Sequence, residues 1–134
     1  MPGFVHPLAA GSTFRVLYIG HDLKFIARFR EEVSESVYRL VACSDQGSIT
    51  LFLKSDIPYD VLLVDFEWRK KDGLEIARLA RKLRHRKRMP IVLLGGTRLS
   101  RQTRSVAEQV GVQECVLKTQ DVGQAIMRVM GRET

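Results

Sequence analysis

One pattern constrains this sequence above all others: a short apolar run followed by apolar residues at helical spacing, repeated five times. Phe14-Arg-Val-Leu-Tyr-Ile19 ends at Gly20 and leads into Phe25, Ile26, Phe29 and Val33, which fall on one helical face. Tyr38 to Cys43 is the second run; Ser44 or Asp45 can cap the next helix, which carries Ile49, Phe52 and Leu53 and is closed by Pro58. Asp60-Val-Leu-Leu-Val-Asp65 is continuously apolar between its aspartates, as a strand covered on both faces of a parallel sheet must be. Leu74 to Leu83 sets Ile76, Ala80 and Leu83 on a third helix, Met89-Pro90 ends the basic stretch behind it, and Ile91 to Leu94 is the fourth strand. Leu99, Thr103, Val106 and Val110 space a fourth helix that stops at Gly111; Glu114 to Leu117 is the last strand, and Val122, Ile126 and Val129 stripe the last helix.

Strict alternation of this kind requires right-handed crossovers and a parallel sheet with helices on both faces. The expected fold is α/β, a doubly wound sheet of five βα units in the order 2-1-3-4-5. In that order function sits at the carboxyl ends of the strands, beside strands one and three, so Gly20 to Asp22 and Asp65 to Lys71 share one rim. Cys43 and Cys115 fall on opposite edge strands; at ~4.8 Å per strand they are out of disulfide reach, and both are expected as free thiols.

The 134 residues, 45% of them hydrophobic, allow one domain, read as residues 14–131, with 1–13 a flexible leader and 132–134 a tail. Such a domain buries roughly two-thirds of the surface its unfolded chain exposes. Prolines interrupt the leader and no basic segment precedes its apolar residues, so a secretory signal is not expected. No apolar stretch approaches the ~20 residues needed to cross a bilayer. A cytoplasmic protein without membrane contact is the expectation. The sequence holds no His and Cys set at metal spacing and no Gly-x-Ser-x-Gly elbow, so an independent enzyme is not expected.

Tyr59-Asp-Val-Leu-Leu-Val-Asp65, then Asp72-Gly73-Leu-Glu, then Pro90-Ile-Val-Leu-Leu, then Gly111 to Lys118 together resemble the pattern of response-regulator receiver domains. The resemblance covers about residues 14–131 and implies the flavodoxin-like, CheY-like fold. It also implies that Asp65 stands at the phosphoacceptor position and that Lys118 is the lysine ending the fifth strand. An Asp-Gly pair seven and eight residues after the acceptor matches Asp72-Gly73.

The same resemblance marks departures. The family holds Mg²⁺ with two carboxylates after the first strand, and that ion neutralises charge on the phosphoryl group in transfer. Aligned without a gap, this chain has Gly20 and His21 there; a one-residue shift or bulge would bring Asp22 into the second acidic place. Where the family has a Ser or Thr after the fourth strand, Leu94 is followed by Gly95 and Gly96. The aromatic three residues before the lysine is Cys115, and the proline after it is Thr119, so a trans bond is expected there. No metal and no cofactor are therefore expected, Mg²⁺ entering only if Asp65 is a working phosphoacceptor. Without a divalent ion, Lys118 can reach Asp65 as a buried counter-ion. His21 has two readings: a protonated group replacing part of the metal's charge, or an exposed loop residue beside the helix cap Asp22.

The net charge is +7, from 22 Lys and Arg against 15 Asp and Glu. Arg78, Arg81, Lys82 and Arg84-His-Arg-Lys-Arg88 gather at the end of the third helix and the loop after it, at the opposite end of the fold from Asp65. Arg69-Lys-Lys71 flanks Asp65 beside Trp68, read as an exposed interface anchor or as a lid over the loop. Gly95-Gly-Thr-Arg98 is a weak anion-binding signal without the full spacing of a phosphate loop. Three functions follow: an interaction module that works without phosphorylation, a receiver phosphorylated on Asp65 by a histidine kinase, and a binder of nucleic acid or a small anion. The first is the primary expectation and the second its alternative; nucleic acid is not favoured, since no DNA- or RNA-binding motif is present. The expected partner is a protein, whether a signalling protein, an output domain or a histidine kinase, with homodimerisation open. Trp68, Arg98, Arg101, Arg104, Lys118 and Gln124 are its candidate contacts.

Overall fold

The computed structural model describes residues 13–34, 36–69 and 73–131. The leader apart from Thr13, the tail, and Lys70, Lys71 and Asp72 lie outside the described residues. Five strands, β1 (Phe14–Ile19), β2 (Tyr38–Cys43), β3 (Val61–Asp65), β4 (Ile91–Gly95) and β5 (Glu114–Leu117), alternate with α1 (Leu23–Glu32), α2 (Gln46–Lys54), α3 (Gly73–Lys82), α4 (Arg101–Val110) and α5 (Val122–Gly131). The sheet is wholly parallel, in the order β2-β1-β3-β4-β5. This is the expected doubly wound α/β fold.

Every residue of β3 and β4 is buried, because both faces of the central strands are covered. Alternation along the strands sends Val16, Tyr18, Val61, Leu63, Val92 and Leu94 into one layer with α1 and α5. Leu17, Ile19, Leu62, Val64, Ile91 and Leu93 enter the other, with α2, α3 and α4. Burying a Leu, Ile or Val side chain stabilises by about 1.5–3 kcal/mol, so these layers carry most of the driving force.

The helices begin where short polar side chains satisfy their first N–H groups. Asp22 accepts from Phe25 N–H (3.0 Å), Asp45 from Ser48 N–H (2.9 Å) and Ser100 from Thr103 N–H (3.0 Å). Asp45, not Ser44, is thus the cap of α2. Leu99, expected inside the fourth helix, precedes its cap Ser100 and turns back over the end of β4. Gly111 ends α4 with φ of 102°, a left-handed conformation suited to glycine, and a Cβ there would meet the Arg81 guanidinium at 2.6 Å. Cys43 and Cys115 are free, on opposite edges of the sheet.

Candidate functional site

Strand alternation and register assemble the site. Tyr18 lies opposite Leu63 and Ile19 opposite Val64, so the next pair is Gly20 beside Asp65. The period of two that sends Tyr18, Leu63 and Val116 to the α1/α5 face sends Gly20, Asp65 and Lys118 there as well. No bulge interrupts the paired residues of β1 and β3, which leaves Gly20 as the residue beside Asp65. Asp22 enters by another route. As cap of α1 it gives one carboxylate oxygen to Phe25 N–H, and it turns the other to the Lys118 ammonium at 2.9 Å.

Asp65 is 5% exposed, and both its oxygens are occupied. Oδ2 accepts from Lys118 Nζ at 2.6 Å and from the Tyr18 hydroxyl at 3.2 Å, while Oδ1 accepts from Glu67 N–H at 3.0 Å. The counter-ion expected of Lys118 is present, shared between two carboxylates. Burial would pull its ammonium below the ordinary value of 10.5, but the hydrogen bonds to Asp65 and Asp22 outweigh that and leave it raised. Partial desolvation acts to raise Asp22; the Lys118 hydrogen bond and the N–H groups of the first turn prevail, and its pKa lies below 3.8. Burial, then the Asp65 charge, pushes the Tyr18 phenol well above 10.0, so it stays protonated and can donate. The Lys118 backbone is held too: its N–H donates to Gly95 O at 2.9 Å and its carbonyl accepts from the Arg28 guanidinium of α1.

Two glycines at the rim are filled by neighbouring side chains. A Cβ on Gly20 would lie 2.4 Å from the Tyr18 hydroxyl and 2.9 Å from Asp65 Cβ. A Cβ on Gly95 would lie 2.7 Å from Thr97 O and 3.1 Å from the Leu99 side chain. A carboxylate at 20 is thus incompatible with the phenol where it stands, and a side chain at 95 with the Thr97 carbonyl as placed, while Leu99 would have to give way slightly. The donor set does not fit Mg²⁺: Gly20 and His21 supply no carboxylate, Asp22 is engaged twice, and the phenol fills the space beside Asp65. Among the described residues no group of three His, Cys, Asp or Glu side chains could hold a metal ion.

The remaining candidates are dispersed. His21 is exposed, and its ring makes no hydrogen bond or ion pair among the described residues, which matches the loop reading. Trp68 is corrected: it is 2% exposed, with its indole N–H donating to Ser44 O at 2.7 Å. A large ring gains more from packing against α3 than from water, and its one polar atom finds a carbonyl, so it is no exposed anchor. Arg69 instead lies over the indole face at 5.4 Å and bonds the Gln46 side chain. Gly73 is buried against Asp65, whose carbonyl oxygen would lie 2.6 Å from a Cβ there. Arg98, Arg101 and Arg104 are exposed and line a cleft with half-buried Cys115, whereas Gln124 sits on α5 outside it. The basic cluster is partly structural. Arg81 donates to the carbonyls of Arg86, Lys87, Met89 and Gly111, and buried Arg86 to those of Phe52, Leu53 and Ser55.

Sequence reasoning missed Tyr18, Leu99 and Arg28. A signal for Tyr18 existed: it is the one aromatic hydroxyl in a strand that is apolar apart from Arg15, two residues before Gly20 and so on the face of Asp65. A buried phenol needs a partner. Leu99 and Arg28 carried no comparable mark.

No family model matches the chain. It is 27% identical over 127 residues to regulatory protein VirG of Agrobacterium tumefaciens, the match covering 89% of this chain and 46% of VirG, so the chain spans about half the length of that relative. Chemotaxis protein CheY4 of Vibrio cholerae superposes with a TM-score of 0.75 at 18% identity, over 88% of this chain and 99% of that one. The receiver domain of the Pseudomonas aeruginosa sensor histidine kinase PA1611, solved with a magnesium ion in its active-site cleft, gives 0.72 at 19% identity, over 90% and 99%. The fold of this chain is that of the CheY-like receiver domains of response regulators, the family its sequence also resembles along most of its length.

Proposed function

We propose that this receiver domain is an interaction module that docks a protein partner without being phosphorylated. One observation carries the reading: the Tyr18 phenol occupies the space beside Asp65 that a carboxylate at position 20 would need, and bonds Asp65 together with Lys118. A receiver needs that space for its ion, because transfer of a phosphoryl group depends on neutralising its charge. The second requirement, a hydroxyl at the end of the fourth strand to follow the phosphoryl oxygen, is also unmet, since Gly95 and Gly96 carry none and Leu99 packs on Gly95. In place of a switch, Asp22, Lys118 and Asp65 form a closed ion network that fixes the rim. The domain then has no catalytic role and needs no cofactor. Its partner surface is the face of α4, β5 and α5, and its place the cytoplasm; among the described residues no helix is long and apolar enough to cross a membrane.

Beryllofluoride with Mg²⁺ tests this directly. Trp68 is buried three residues after Asp65, with its backbone N–H donating to Asp65 O at 3.1 Å, so its fluorescence is a local probe of the acceptor loop. No saturable change is expected. A Mg²⁺-dependent change abolished by Asp65→Asn would establish the alternative, a receiver phosphorylated on Asp65.

A further inference from the structure

Along the outer side of the sheet, α4 and the edge strand β5 leave a cleft of about 740 Å³, and a second of about 310 Å³ extends toward Gln120. Arg98, Leu99, Arg104 and Cys115 line both, so the two form one trough. Its wall is a single stripe of α4, since residues 101, 104, 105 and 108 recur at three- and four-residue spacing. Its base offers the apolar side chains of Leu99 and half-buried Cys115. Arg98, Arg101 and Arg104 are exposed, and among the described residues none of them forms an ion pair.

We propose that this trough holds an extended acidic segment of a protein partner, with one apolar side chain of that segment seated over Cys115 and Leu99 and carboxylates beside the arginines. The assignment rests on the interaction-module reading above and adds the chemistry of the partner. Charge complementarity selects the occupant: three unpaired guanidinium groups suit carboxylates in bidentate contact. A nucleic-acid strand fits less well, because among the described residues the trough lining holds no aromatic side chain on which bases could stack. The chain's own residues 1–13 carry Phe4 and Leu8 but no Asp or Glu, so they leave the arginines unanswered.

The test is selection of a random ten-residue peptide display library against the full chain, followed by fluorescence-anisotropy titration of an enriched peptide. Enriched sequences are expected to hold Asp or Glu around one apolar residue. An exposed Arg–carboxylate pair is worth up to about fivefold in affinity, so Arg98→Glu with Arg104→Glu is expected to weaken binding about tenfold or more. Cys115→Trp, which fills the base, is expected to weaken it without altering the salt dependence. The charge-reversed residues are exposed, and an unchanged thermal melt confirms that the fold persists. Enrichment of neutral or basic peptides, or binding that survives charge reversal, overturns the proposal. So does a single-stranded oligonucleotide that binds more tightly than any selected peptide and responds to the same substitutions. Acidic-peptide binding that appears only with Mg²⁺ and beryllofluoride keeps the acidic occupant and overturns the phosphorylation-independent reading, so the two failures are distinguishable.

Discussion

A double-mutant cycle at Tyr18 and Gly20 tests whether the phenol fills the acidic site. Gly20 does not have a positive φ, so alanine there adds no backbone strain and, through the unfolded chain, would favour folding by about 0.4–1 kcal/mol. Against this, the new Cβ would lie 2.4 Å from the Tyr18 hydroxyl and 2.6 Å from the ring carbon bearing it. Overpacking a filled site costs about 1–3 kcal/mol. A phenol that swings aside also takes a donor from Asp65, a bond to a charged group worth about 1.5 kcal/mol at the 3.2 Å observed. Gly20→Ala is therefore expected to destabilise by about 2–3 kcal/mol. In a Tyr18→Leu background the phenol contacts are gone and only the 2.9 Å approach to Asp65 Cβ remains, so the same substitution is expected to cost about 1 kcal/mol. The coupling is then at least about 1 kcal/mol, well above the scatter of independent sites. Urea unfolding of the four proteins, with equal m values, measures it. Costs that add to within about 0.5 kcal/mol would refute the argument, since they would mean that the phenol and residue 20 do not compete for one space.

Three further outcomes are expected. Tyr18→Leu with Gly20→Asp and His21→Asp restores a carboxylate pair beside Asp65, and Mg²⁺ should then change Trp68 fluorescence, which it should not do in the parent; a folded triple variant without that response would show that something else excludes the ion. The ion network should give stability a plateau: Asp22 contributes above its ordinary 3.8 and loses its contribution as pH falls through its lowered value, while Lys118 contributes below 10.5 and loses it as pH rises through its raised value. Lys118→Met should remove the basic limb, and a parent whose stability declines already between pH 6 and 9 would contradict the assignment. Arg86, 3% exposed, caps the end of α2 with three carbonyl contacts and lies 5.1 Å over the Tyr59 ring. Arg86→Met should cost about 2–4 kcal/mol in urea unfolding, whereas exposed Arg84→Met should change stability by less than about 0.5; equal effects would contradict a structural role.

Much of the architecture was legible because it rests on short-range periodicities. Apolar runs of four to six residues with helical spacing between them gave all five strands; the crossover rule made the sheet parallel, and the doubly wound order that suits five units is the one observed. The cap was legible at Asp22, a short polar side chain just before an apolar helical pattern, whereas for α2 the same criterion offered Ser44 or Asp45 and only the structure selects Asp45. Leu99 misled, because its spacing suits α4 while its side chain packs over Gly95. Trp68 misled because neighbouring cations suggested exposure, whereas only the packing of α3 and the carbonyl of Ser44 reveal its burial.

At the site the division is sharper. The sequence by itself put Asp65 and Lys118 at one rim, because alternation of strands and helices follows from local pattern, but it left open whether Gly20 or a shifted residue stands beside Asp65, which the pairing of β1 with β3 decides. What replaces the missing groups was decided by tertiary structure. Tyr18 meets Asp65 across 47 residues of chain and Lys118 meets Asp22 across 96, and whether such groups meet depends on side-chain reach and on the space two glycines leave. A linear pattern encodes which face a residue occupies, but the volume above that face is set by every element that converges on it.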